Sequence, residues 1–424
     1  MRLAFCSPLP PSPSGIADYS AEVLALLAPR HAIDVFHDQD AVEGVPAGCT
    51  ALRAPELIPR HRARPYDLVI HQLGNAAAHG FLYPLLGRAP GLLVLHDLVL
   101  HHSRAAMLMD TAAARAYAAD PSSARLRDAT LGGREAYAAE VAYAYPREAR
   151  RLVAVQENTV GRLLPYAYPL FHLPVAVSRL TAVHNAAMAR AVAEEVAGAR
   201  VVEVVMPARR VAVPAAGVAS VRARFAADAL VVGCYGLLTP EKRVETVARA
   251  VARAVADVPS IALLLVGPVP DPPALSAMLA AVGVLSRTVV AGRVPLETLP
   301  AHIEAADVVA HLRYPTAGET SAALLRVLAQ GRPTVVSDVA NFSDVPADAV
   351  VRADIADEEG EVTRAILRLA ASPRLRERLG ARAAAFVAAR HAPARTLESY
   401  ESAIAAAMAA PIPRPADLPV HWSV

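Results

Sequence analysis

A single lysine, Lys242, stands in a chain of 424 residues, within the stretch LLTPEKRVE (237–245). Every other side chain with a permanent positive charge is arginine. The chain is rich in Ala, Arg, Val and Pro, as GC-rich coding produces, and such coding replaces lysine wherever a solvated charge suffices. A lysine that persists marks a place where a compact ammonium serves and a planar guanidinium fork does not. It follows a strand-like run ending in a glycine turn, GCYG (233–236). An ammonium and the amides of a helix start then converge beside Gly236, an arrangement that suits a diphosphate. The plain alternative is a surface helix that happens to begin Glu-Lys-Arg.

Three further groups could carry chemistry. Histidines cluster in HQLGNAAAH (71–79) and LHDLVLHH (95–102). His71 and His96 fall at the C-terminal ends of expected parallel strands, where such sheets bind ligands. Their spacings match no zinc signature, and His101 and His102 read as structural. In PLPPSPSGIADYS (8–20), Gly15 would let a ligand approach the first amides of a helix, although a simple strand-to-helix turn explains it too. In LRYPTAGETSAALLRVLAQGRPTVVSD (312–338) a strand ends at Arg313 and a loop carries Gly318 and Glu319. A helix then begins at Thr320 and Ser321, whose amides could hold phosphate while Glu319 accepts from sugar hydroxyls. Thr and Ser are also ordinary helix caps. DQD (38–40) imitates a metal motif but reads as a solvated loop.

The elements that must position these groups alternate between short apolar runs and helix-period segments, the pattern of parallel sheets wrapped in helices. RLAFC (2–6), AIDVFH (32–37), DLVIHQL (67–73), LLVLHD (92–97), LTAVHN (180–185) and VVEVVM (201–206) form a first series, with a helix over 15–28. A helical insertion rich in Ala, Arg and Tyr occupies 103–170. The pattern restarts with LVVGCYG (230–236), a helix from Glu241, IALLLVG (261–267), TVVAG (288–292), DVVAHL (307–312) and TVVSD (334–338). Helix dominates from about 355, and 206–219 reads as a linker. The expectation is α/β: two Rossmann-like parallel-sheet domains, 1–207 and 208–394, facing across a cleft, followed by a C-terminal helix and tail over 395–424.

Bulk properties exclude some partners. A formal charge of +2 with no dense basic stretch argues against nucleic acid. Cys6, Cys49 and Cys234 have no pairing or metal spacing, which fits a reducing cytoplasm. No apolar run reaches the roughly 18 residues of a membrane span, while contact with a membrane surface stays open. The start, MRLAFCSPLPPSPSG, is cut by prolines and does not resemble a signal peptide.

Taken together these segments resemble the retaining glycosyltransferases of family four, which have the GT-B fold. SGIADYS looks like that family's glycine loop, LVLHD like its strand-end histidine, and GLLTPEK like its glycine-to-lysine phosphate motif. AADVVAHLRYPTAGETSAALLRVLAQGRPTVVSD resembles the donor-binding segment and is the most specific of the four. The resemblance covers nearly the whole chain. It implies an EC 2.4, hexosyltransferase-like enzyme that moves a sugar from a nucleotide-diphosphate donor with retention, needing neither metal nor cofactor. Lys242 would neutralise the departing diphosphate, His96 would meet the donor sugar or reacting centre, and Glu319 would orient sugar hydroxyls. Gly15, Gly236, Arg313, Gly318, Thr320, Ser321 and Arg326 would bind donor; Asp18, Tyr19 and His71 would face the acceptor. That acceptor would be a glycan, a lipid-linked sugar or a small molecule. The C-terminal helix would return to the first domain.

The chain departs from the family in two places. Leu237 stands where the phosphate motif usually has arginine, with Arg313 as its replacement. The family's two glutamates, eight residues apart, fall on Gly318 and Arg326. Arginine has no acceptor for ribose hydroxyls, which weakens discrimination against dTDP. A GT-B nucleotide-sugar 2-epimerase and a non-catalytic sugar-nucleotide-binding protein are the other readings of the same residues.

Overall fold

The computed structural model describes residues 1–119, 122–158 and 164–422. They form two compact units, each described by itself. The first comprises Met1–Met206, Ala317–Thr320 and Thr396–Val424; the second comprises Pro207–Thr316 and Ser321–Arg395.

The first unit holds a seven-stranded parallel sheet. Its strands are β1 (Arg2–Cys6), β2 (Ala32–His37), β3 (Cys49–Arg53), β4 (Leu68–Leu73), β5 (Leu92–Leu95), β6 (Leu180–Val183) and β7 (Val201–Glu203), in the order β3-β2-β1-β4-β5-β6-β7. The central strands are buried on both faces, as parallel sheets require, so they read as continuous apolar runs. The helix Gly15–Leu27 starts at Ser14, whose hydroxyl accepts from the Ile16 amide, and buries Ala17, Tyr19, Val23, Leu24 and Leu27. Strand β3 escaped the sequence reading because CTALR is short and only half-buried. The expected insertion is helical where described: His101–Met109, Ala112–Ala119, Ala124–Ala144 and Ala149–Asn158. Residues 120–121 and 159–163 of it lie outside the described residues. Its own core gathers Ala105, Tyr137, Val141, Leu152 and Leu170. Within it Arg104 and Glu140 form a buried bidentate pair, to which the tail adds His421 and Trp422.

The second unit holds a six-stranded parallel sheet. It contains β8 (Val231–Tyr235), β9 (Ala262–Val266), β10 (Thr288–Gly292), β11 (Val308–His311), β12 (Thr334–Ser337) and β13 (Val351–Ala353), in the order β10-β9-β8-β11-β12-β13. The helices Val244–Ala254 and Glu358–Ala371 cover one face with Val247, Val251, Val362, Ile366 and Leu369. No helix among the described residues is long and apolar enough to cross a membrane.

Several histidines are locked into this apolar interior. Burial lowers His71, His79 and His172 from 6.5 to about 4, although Ala89 O and Gln72 O, which hydrogen-bond to the first two, pull the other way. A histidine whose folded value is depressed costs nothing above 6.5, where both states are neutral. Below it the unfolded chain takes up protons that the native rings refuse. Stability therefore falls between pH 6.5 and 4, by about 1.4 kcal/mol per pH unit for each ring. The unfolding temperature should be nearly level from pH 7 to 8.5 and drop steeply from 6.5 downward. A level profile through pH 5 would show that these rings are not held neutral.

Candidate functional site

In the second unit the chain leaves β8 through Gly236, whose φ of +110° is the left-handed region that glycine tolerates. A Cβ there would lie 3.5 Å from both Cε and Nζ of Lys242, so the lysine arm lies across the glycine. Lys242 ends a single tight turn, Pro240–Lys242, and Arg243 is left-handed at φ 55°. The expected helix from Glu241 therefore begins only at Val244, and Lys242 projects from the turn before it. Its side chain is 9% exposed, and Nζ lies 3.5 Å from His311 Nε2.

His311 ends β11 and is held well below the usual histidine range, first by burial and then by Lys242 and Arg313. Both cations thus act on one neutral imidazole. The strand expected to run to Arg313 stops two residues short, and the Arg313 amide donates to Ser337 Oγ at 2.9 Å. The Ser337 hydroxyl donates in turn to Glu358 Oε1 at 2.6 Å, and Arg243 Nε donates to Glu358 Oε2 at 2.8 Å. One buried carboxylate therefore ties the Lys242 turn, the end of β12 and the Arg313 loop together. Ser321 caps the helix Ala322–Ala329, accepting from the Leu324 amide, and Arg326 is half-buried on that helix. Thr320, expected to open the helix, precedes this cap. Leu237 is 50% exposed.

In the first unit a chain of buried polar groups crosses the sheet. Val204 O lies 3.0 Å from His184 Nδ1, His184 Nε2 lies 3.1 Å from His96 Nδ1, and His96 Nε2 lies 2.8 Å from Gln72 Oε1. Gln72 Nε2 donates to Tyr400 OH at 3.3 Å, and that hydroxyl meets Tyr19 OH at 2.6 Å. The Tyr19 ring stands edge-on to His96 and His184, with centroids 4.8 and 5.2 Å away. His96 is 4% exposed and sits directly after β5 as expected, held well below its ordinary value by burial, then His184 and His79. Both of its nitrogens are engaged inside the unit, so a ligand reaches one only by displacing a partner.

Beside this chain Asn185 caps the helix Ala186–Glu195 and donates to Gly318 O and Thr320 Oγ1. Gly318 has φ +82°, and a Cβ on it would come within 2.9 Å of the Leu98 side chain. Glu319 belongs to the same short segment and is half-buried. Gly15 opens its helix on the surface, with nothing within 4 Å of an added Cβ; packing does not require glycine there. Asp18 lies in that helix's first turn.

Two expectations need correction. His71 is not at a strand end but inside β4, fully buried, with Nε2 on Ala89 O at 2.9 Å. Alternation along the strand sends it to the face opposite Gln72, so it has no surface to offer an acceptor. Tyr19 is likewise buried, its hydroxyl on Tyr400. The sequence reading missed Gln72, His184, Asn185 and Tyr400 in the first unit and Arg243, His311, Ser337 and Glu358 in the second. His184 and His311 carried the strand-end signal that singled out His96; Tyr400 and Glu358 carried none.

Residues 229–372, all in the second unit except Ala317–Thr320, match the family model described as Glycosyl transferases group 1. No curated protein sequence matches the chain. Among solved structures it resembles HepE of Anabaena in complex with UDP and glucose, at TM-score 0.64 and 14% identity, over 96% of this chain and 99% of that one. It also resembles sucrose-phosphate synthase from Thermosynechococcus elongatus, at TM-score 0.67 and 17% identity, over 96% and 100%. WaaG, a glycosyltransferase of lipopolysaccharide biosynthesis, matches at TM-score 0.60 and 13% identity, over 93% and 98%. At such identities the likeness establishes the fold: two Rossmann-like parallel-sheet domains of the GT-B kind.

The geometry around Glu358 gives a stability test. Glu358→Ala leaves the Ser337 hydroxyl and the Arg243 guanidinium without their buried acceptor. The loss should be about 1–3 kcal/mol, read as a lower urea midpoint. An unchanged midpoint would show that the carboxylate does not hold the three segments.

Proposed function

We propose that this chain transfers a sugar from a nucleotide-diphosphate donor to an acceptor glycan, lipid-linked sugar or small molecule, as a retaining, family-four type glycosyltransferase. The observation that carries the reading is the buried Lys242, its Nζ 3.5 Å from Nε2 of His311 at the end of β11 and Arg313 two residues further on, inside the segment that matches a glycosyltransferase family model. The departing nucleoside diphosphate gains negative charge in the transition state, and fixed cations there lower the barrier. Arg313 takes the place of the arginine that Leu237 lacks. Glu319 and the Ser321-capped helix serve donor sugar and phosphate, and His96 accepts a sugar hydroxyl once a network partner yields.

The UDP-bound neighbour makes UDP the first nucleotide to test. Arg326 makes dTDP the second, since arginine offers ribose hydroxyls no acceptor. Among the described residues no three His, Cys, Asp or Glu side chains converge as metal ligands, and we assign the neutralising charge to Lys242 and Arg313. We place the enzyme in the cytoplasm on its three free cysteines.

Lys242→Ala should lower turnover a hundredfold or more, corresponding to about 3 kcal/mol for one preorganised charge. Lys242→Arg should also impair it, because the fork cannot occupy the point the ammonium holds. An unimpaired Lys242→Ala enzyme would remove the diphosphate role.

Titration of UDP, GDP, ADP and dTDP should place dTDP within several-fold of the best ribonucleotide, about 1 kcal/mol for one neutral hydrogen bond. A ribonucleotide bound a hundredfold more tightly would mean that another group accepts from the ribose. With the preferred donor, EDTA should leave transfer unchanged and NMR of the product should show the donor's anomeric configuration. Activity lost on chelation and restored by Mg²⁺ or Mn²⁺ would contradict metal independence.

A further inference from the structure

The buried chain Val204–His184–His96–Gln72–Tyr400–Tyr19 is constrained at one end by chemistry that admits no choice. A backbone carbonyl only accepts, so His184 must donate to Val204 O from Nδ1. A neutral His184 then has a bare Nε2, and the group facing it at 3.1 Å, His96 Nδ1, must carry the hydrogen. A neutral His96 in turn has a bare Nε2, which requires a donor opposite. Gln72 presents Oε1 there at 2.8 Å, an acceptor facing an acceptor. Two assignments resolve the conflict. Either one imidazole carries an extra proton, or the Gln72 amide turns over. The two faces of an amide are nearly equal in shape, so turning it costs little. Turned over, its NH₂ donates to His96 Nε2 and its oxygen accepts from Tyr400 OH, which accepts from Tyr19.

We infer that His184 and Gln72 are positioning residues that hold His96 as the neutral tautomer with hydrogen on Nδ1 and a bare, accepting Nε2 covered by the Gln72 amide. Burial of the whole chain favours this assignment, because a cation among groups that are all under 7% exposed is costly to desolvate. His96, depressed first by burial and next by His184, resists the extra proton. The inference deepens the proposed function: a group that displaces Gln72 meets an acceptor, so it must bring a hydrogen, as a sugar hydroxyl does and a carboxylate does not. It explains why a glutamine stands on β4 opposite the histidine.

The test is long-range ¹H–¹⁵N NMR of the full chain with ¹⁵N-labelled histidine, His96 being assigned by its disappearance in His96→Gln and His96→Asn. The expected spectrum at pH 7.5 shows Nδ1 bonded to hydrogen and Nε2 bare, far downfield of it. Hydrogen on Nε2, or on both nitrogens, overturns the inference. His184→Leu removes the acceptor for Nδ1–H and should shift the hydrogen to Nε2, whereas His184→Gln, whose amide oxygen accepts, should keep the native pattern. A pattern indifferent to both variants also overturns it. Gln72→Glu should put hydrogen on both nitrogens, and a bare Nε2 beside the new carboxylate would count against the inference. The spectrum is independent of turnover. A bare Nε2 in a protein that transfers no sugar refutes the proposed function alone, and a protonated Nε2 in an active transferase refutes this inference alone.

Discussion

Each sheet is covered on both faces, and that cover denies water to every polar group the central strands carry. A polar side chain can persist in such a strand only where a fixed partner meets it. This one condition explains much of the arrangement. His71 survives inside β4 because Ala89 O meets Nε2, and Gln72, one residue on and facing the other way, survives because His96 and Tyr400 meet its amide. At the C-terminal strand ends buried polar groups cluster: His96 after β5, His184 after β6, His311 at β11 and Ser337 at β12.

The same desolvation decides charge. His96 and His311 both lie well below the ordinary histidine range, yet their neighbours differ. His96 meets another imidazole and an amide, so its protonation follows from hydrogen-bond direction. His311 meets cations, so its neutrality leaves a lone pair facing the Lys242 ammonium. A protonated ring there would repel both Lys242 and Arg313. The nearby acid, Glu358, is engaged by Arg243 and Ser337, so it works as a brace for the backbone that carries the two cations.

Strand positions were legible in the sequence because apolar runs such as ALLLV and LLVL can be little else in an α/β chain, and the two-domain fold followed from their repetition. The edge strands β3 and β13 were not, since CTALR and VRA are short, half-buried and carry no apolar run, whereas the other two edges, β7 and β10, keep their valine pairs. Lys242 was legible through its rarity, which is a property of composition. The helix start assigned to it was not, because Arg243 takes a left-handed turn that nothing in EKRVE announces. The histidine chain was half legible: strand-end position marks His96, and would have marked His184. Tyr400 lies more than 300 residues from its partners Gln72 and Tyr19, and only the return of the last helix to the first sheet brings them together.

That return also clarifies why position 72 holds an amide. Leucine would fill the space but leave His96 Nε2 buried without a partner, a loss of about 1–3 kcal/mol, and would leave the Tyr400 hydroxyl with Tyr19 but without the amide. Glutamate would satisfy both, yet would bring a charge into a site with no water to solvate it and would draw a proton onto the imidazole. Histidine offers one donor and one acceptor, but on a rigid ring. Glutamine supplies a donor at one corner and an acceptor at the other, and can reverse them by turning its last bond. The backbone carbonyl fixes the direction of hydrogen bonding at Val204, the two tyrosine hydroxyls can each donate or accept at the far end, and the amide between them reconciles the two without any net charge.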